Sequence, residues 1–131
     1  MTDPSQAGGQ VLDQASTLLS ETRRLIDRVL VDLKSKTLEG ERVSPAKLEN
    51  YQLVSYEVSL CWAEWTSARY LLDYARRLQS EAPGAAGFAG RLAALFCAEA
   101  VTTTTGRLRA RPADFGLSEA DVNAVSGTDA A

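Results

Sequence analysis

Histidine is absent from this chain of 131 residues, and cysteine, methionine and proline are scarce, at two, one and four. Without histidine the chain lacks the commonest metal ligand and the commonest proton shuttle near neutral pH. Neither a Ser-His-Asp nor a Cys-His arrangement can form. The two cysteines, Cys61 and Cys97, fall in segments that read as helix. Two small buried thiols are the plainer reading, and a disulfide is disfavoured in a reducing compartment. There is no glycine-rich dinucleotide fingerprint and no Walker motif. There is also no run of about eighteen or more uncharged apolar residues, the pattern of a membrane-spanning helix. Basic residues are outnumbered, 14 against 17, for a net charge of −3. That balance is a poor match to a general nucleic-acid binder. The stretch Met1–Gln10 is polar and lacks the basic-then-apolar layout of a signal peptide. The expectation is a cytoplasmic protein that binds neither nucleic acid nor membrane.

What the chain does have is helical periodicity. From Leu48 to Leu78 it is apolar on two faces at once. One stripe is Tyr51, Val54, Val58, Cys61, Trp65, Ala68, Leu72 and Ala75; the other is Leu53, Tyr56, Leu60, Ala63, Ser67, Leu71, Tyr74 and Leu78. Residues three and four apart share one side of a helix, so a helix with two such stripes has two faces to cover. All four tyrosines and both tryptophans lie on this segment.

The rest of the chain is organised around it. Residues 1–9 read as a flexible lead-in. A first helix is predicted from Gln10 to Lys36, with Leu12, Ala15, Leu18 or Leu19, Thr22, Leu25 or Ile26, Val29 and Leu33 on its buried face. A turn at Gly40 follows. Ser44-Pro45 then opens the long helix, which runs to Gln79: serine caps free backbone N–H groups, and proline suits the first helical position. Pro83-Gly84 breaks the chain. A third helix, Ala86 to Thr104, is rich in alanine and glycine and so can pack closely on the long one, with Phe88, Leu92, Leu95, Phe96 and Val101 supplying bulk. The run Thr102–Thr105 weakens a helix, and Gly106 suits its C-terminal cap. Arg107 to Leu117 reads as an extended connector, and Ser118 caps a short last helix to Val125. Residues 126–131 read as a disordered tail. The fold class is all-α: an antiparallel three-helix bundle with a long central helix and a short fourth helix, spanning residues 10–125.

Three groups of residues carry possible chemistry. The second stripe of the long helix, with Leu53, Tyr56, Leu60, Leu71 and Tyr74, exceeds what two surface helices of a short chain readily cover, and uncovered apolar surface of that extent marks a partner. Trp62 and Tyr70 sit near its edges as contact residues. Glu57, Glu64 and Glu99 lie among apolar helical positions, but a carboxylate di-metal site also wants Glu-x-x-His motifs, which this chain cannot supply. The plainer reading pairs these glutamates with arginines such as Arg69, Arg76 and Arg91. Arg107, Arg109 and Arg111 alternate along the connector. On extended backbone that puts them on one side, either to hold a phosphate or, more plainly, to dock the connector by salt bridges.

Two strings carry a resemblance. Tyr56–Leu78 (YEVSLCWAEWTSARYLLDYARRL) and Arg111–Leu117 (RPADFGL) resemble parts of the helical N-terminal extension of bacterial acyl-CoA dehydrogenase relatives of the methylsuccinyl-CoA dehydrogenase type. Together they spread the likeness over residues 10–120. Members of that family oxidise acyl-CoA thioesters with FAD, using a glutamate to take the α-proton. Those functions belong to a catalytic body several times larger than this domain, so no FAD contact and no catalytic glutamate maps onto a residue here. The Thr102–Gly106 run also departs from the family's glycine-rich turn. The resemblance implies a non-catalytic helical accessory domain or subunit that docks on an FAD-dependent acyl-CoA dehydrogenase-like enzyme. It would dock through Leu53, Tyr56, Leu60, Trp62, Tyr70, Leu71, Tyr74, Arg107, Arg109 and Arg111, with no cofactor of its own. The alternative is a self-associating helical adaptor, its second stripe paired with its own copy.

Overall fold

The structure, a computed structural model, describes residues 4–126. Helix α1 spans Pro4–Thr37, and its tail leads into a two-residue hairpin, β1 Leu38–Glu39 with β2 Arg42–Val43. Leu38 pairs with Val43 and Glu39 with Arg42. Gly40 takes a positive φ of 63°, which a tight hairpin needs at its first central position. A single turn, α2 Pro45–Leu48, passes through a 3₁₀ turn at Glu49–Tyr51 into α3, Gln52–Glu81. Helix α4 covers Pro83–Ala110, a 3₁₀ turn covers Pro112–Phe115, and α5 covers Glu119–Ser126.

The result is an all-α bundle in which α1, α3 and α4 pack on one another and α5 closes against α1 and α4. The first stripe of α3 lies in the core as its spacing requires: Val54, Val58, Cys61, Ala68, Leu72 and Ala75 are buried. Helix α1 buries Leu12, Ala15, Leu19, Thr22, Leu25, Ile26, Val29 and Leu33, so Leu19 takes the first either-or position and both Leu25 and Ile26 share the second. The most extensive packing is between α3 and α4. It depends on small residues, Ala89, Ala93, Cys97 and Ala100 on α4 against Ala68 and Ala75 on α3, with the Cys97 thiol 3.7 Å from the Ala68 carbonyl.

Several boundaries differ from the sequence reading, each for a physical reason. Helix α1 begins at Pro4, so residues 4–9 are helical and not a lead-in; residues 1–3 lie outside the described residues. The Ser44-Pro45 start is as expected, with the Ser44 hydroxyl accepting from the Lys47 amide, but the long helix is interrupted at Glu49–Tyr51 before α3 proper begins. Helix α4 does not stop at Thr104. It continues through Gly106 because Thr104 and Thr105 are buried and the Thr105 hydroxyl donates to the Val101 carbonyl at 2.9 Å, so tertiary packing outweighs weak propensity. The predicted Arg107–Leu117 extended connector is therefore the last turn of α4 followed by the 3₁₀ corner. The tail at 127–131 lies outside the described residues.

The corner explains why RPADFGL is a distinctive string. Phe115 is fully buried and Leu117 nearly so. Gly116 has φ 69°, and a Cβ there would collide with the Asp32 side chain. The glycine is thus needed both for its left-handed backbone and for its closeness to α1. The corner turns the chain so that Val122 and Val125 of α5 reach the core.

Candidate functional site

The second stripe of α3 stays at the surface. Leu53 is 52% exposed, Tyr56 63%, Tyr70 74% and Tyr74 46%, whereas Leu60 and Leu71 are half-buried. Among the described residues α3 packs chiefly on α4 and α1, and the exposed members of its second stripe lie outside that packing. Tyr74 has the Arg77 guanidinium 5.9 Å from its ring centre.

Trp62 does not join this stripe. It stacks on Trp65, with ring centres 5.6 Å apart, and the Arg23 guanidinium from α1 lies 4.3 Å from its ring and 5.0 Å from that of Trp65. Trp65 donates its indole N–H to the Leu19 carbonyl at 2.7 Å. The tryptophans therefore fasten α3 to α1, while Trp62 stays 38% exposed.

The three arginines are separated. A helix advances about 100° per residue, so two residues apart means nearly opposite sides, and Arg107 and Arg109 diverge. Arg107 reaches Glu64 on α3 with two bonds, 2.7 and 3.0 Å. Arg111, just past the helix end, reaches Glu57 at 2.7 Å and Asp114 at 3.8 Å. Arg109 donates to Asn123 of α5 at 3.2 Å. Each arginine ties two elements together, and no shared phosphate pocket forms. The plainer reading of Glu57 and Glu64 as arginine-paired holds, but the partners are Arg107 and Arg111; Arg69 and Arg76 pair with Asp73 and Asp13. The Arg107 guanidinium is held still more firmly protonated by its hydrogen bonds to Glu64.

Cys61 and Cys97 are both free and buried. Burial pushes the Cys61 thiol up, offset only in part by the neighbouring Thr104 hydroxyl and the Arg107 charge. Burial likewise raises Cys97. Thiols so shifted stay protonated at neutral pH and make poor nucleophiles. Among the described residues no group of three or more cysteine, aspartate or glutamate side chains comes together as a metal site. A hollow of about 700 Å³ opens between the start of α1 and the α3–α4 turn, lined by Gly8, Gly9, Gly87, Gly90 and Arg91 among others. None of its lining residues is aromatic.

Helix α4 shows a feature that the search for uninterrupted apolar runs passed over. Joined into one element from Pro83 to Ala110, it is long and apolar enough by length and composition to cross a membrane, while burying eight of its residues against the bundle. Its outward side shows Phe88, Leu92 and Leu95, three of the residues that supply its bulk. Comparison with protein-family models, with curated proteins and with solved structures finds no match.

Proposed function

We propose that this chain is a non-catalytic helical docking module, and that its partner is a larger, FAD-dependent acyl-CoA dehydrogenase-like protein. One observation carries the docking part: an unpaired apolar stripe on α3 that includes Leu53, Tyr56, Tyr70 and Tyr74. Tyrosine presents a large, stiff contact area with a polar tip, the composition that recurs at interfaces. The resemblance of Tyr56–Leu78 and Arg111–Leu117 supplies the partner's class. The flavin belongs to that partner, and this domain contributes shape alone. A cytoplasmic setting fits the two unpaired thiols.

Arg107, Arg109 and Arg111 have an indirect part in this reading. They brace α3, α4 and α5 through Glu64, Glu57 and Asn123, and so hold the stripe rigid.

The experiment is affinity capture with the tagged chain from its own cells, reading absorbance of the eluate at the roughly 450 nm flavin band. The expected result is a yellow eluate containing a larger acyl-CoA dehydrogenase-like protein, lost in the Tyr56→Ala, Leu60→Ala double variant. A colourless eluate, or a yellow one indifferent to the double variant, overturns the reading.

A further inference from the structure

The outward side of α4 carries a pattern that neither the core nor the α3 stripe explains. Reading along it, Phe88 and Leu92 are bulky, Leu95 stands in the middle, and Ala98, Thr102 and Gly106 are small; all six are exposed. Spacings of three and four keep them on one side of the helix. Arg91 and Glu99 stand four residues to either side of Leu95, both exposed. Neither has an ion-pair partner among the described residues, unlike Arg107, Arg111, Arg69 and Arg76.

We propose that this side of α4 is the seam of a two-fold homodimer, in which two copies of α4 cross antiparallel with Leu95 on the axis. A two-fold surface must complement itself, since residue i meets residue j wherever j meets i. Reversing the helix about Leu95 sets Phe88 at the level of the second copy's Thr102 and Leu92 at that of its Ala98, large against small. The same operation sets Arg91 at the level of the second copy's Glu99, which gives two symmetric ion pairs from four otherwise unpaired charges. A parallel pairing would instead stack Arg91 on Arg91 and Glu99 on Glu99, so the charges select the antiparallel arrangement.

The bulky side chains of the seam are uncovered in the single chain. Phe88 is 69% exposed, Leu92 45% and Leu95 67%. The charged centre and the fully polar flank of Thr102 and Glu99 fit a partner helix of this same sequence better than a lipid surface. The proposal stands apart from the docking reading, whose test residues Tyr56 and Leu60 lie toward the other end of α3.

The test is sedimentation equilibrium of the intact chain over a wide concentration range. The expected mass is twice the 14.1 kDa of one chain. Leu95→Glu, which places two charges on the axis, should return the single-chain mass with unchanged helix content. Arg91→Glu and Glu99→Arg should each weaken association at least tenfold, and the two together should restore it. Leu95→Cys should cross-link to its own copy on mild oxidation, which the buried native thiols do not do. A single-chain mass for the parent protein at every concentration overturns the proposal. So does a dimer unaffected by Leu95→Glu, or a charge swap that fails to rescue, since either places the seam elsewhere.

Discussion

Asp121 shows how much one residue does at the end of this chain. Its backbone N–H donates to the Ser118 hydroxyl at 3.1 Å, while its carboxylate accepts from the Ser118 amide at 2.8 Å. This reciprocal box opens α5. Arg28 of α1 adds two contacts, at 2.8 and 3.1 Å, which fasten the helix to the bundle. The Arg28 hydrogen bond first, and the Ser118 bonds after it, hold the Asp121 carboxyl well below its ordinary value of 3.8. A carboxylate depressed in the folded state stabilises above its unfolded pKa and loses that contribution as the pH falls toward the folded value. Asp121→Asn should therefore lower the Tm at neutral pH, with the gap from the parent closing progressively once the pH drops below 3.8. Thermal melts across the acid range check this, and a gap that stays constant through that range would contradict it.

At the scale of the element, the α3–α4 pair is held by two different means. At the turn end, small residues bring the backbones close; at the far end, Glu64–Arg107 ties α3 to α4 and Glu57–Arg111 ties α3 to the residue just past α4. The side chains of Glu64 and Arg107 remain 32% and 25% exposed, so water screens much of their attraction. A double-mutant cycle with Glu64→Gln and Arg107→Gln, followed by urea unfolding, should give a coupling of about 0.5–1 kcal/mol. A coupling near zero would mean that the pair does not clamp the helices. The element scale is also where sequence reading went astray. Thr102–Thr105 and Gly106 are weak helix formers, and local propensity ends α4 there. Propensity carries no knowledge that Thr104, Thr105 and Leu108 would be buried, and burial of one more turn offsets the cost.

Across the whole molecule, the three long helices and α5 share one core, from Leu12 and Leu19 on α1 to Phe115 and Val122 near the end. A shared core with no separable subdomain should unfold in one step. Trp62 and Trp65 report on the α1–α3 contact, while far-UV circular dichroism reports on every helix. Their urea transitions should coincide when measured at one protein concentration. Separated midpoints would show that part of the bundle melts alone.

The sequence by itself determined the all-α class, the three long helices, the Ser44-Pro45 and Ser118 starts and the core faces of α1 and α3. Each of these follows from near neighbours: apolar residues at spacings of three and four, a cap hydroxyl, a proline where no amide is needed. It also singled out the exposed residues Leu53, Tyr56, Tyr70 and Tyr74, because a stripe left over after the core face is drawn can be counted on one helix. Only the tertiary structure decided which charges meet. Arg107 finds Glu64 across 43 positions and Arg111 finds Glu57 across 54, a distance over which no helical period carries information. It likewise turned Trp62 toward Arg23 of α1 and left Phe88, Leu92 and Leu95 facing outward. An apolar side chain announces that it will be covered, but the identity of its cover is set by how the helices are arranged in space.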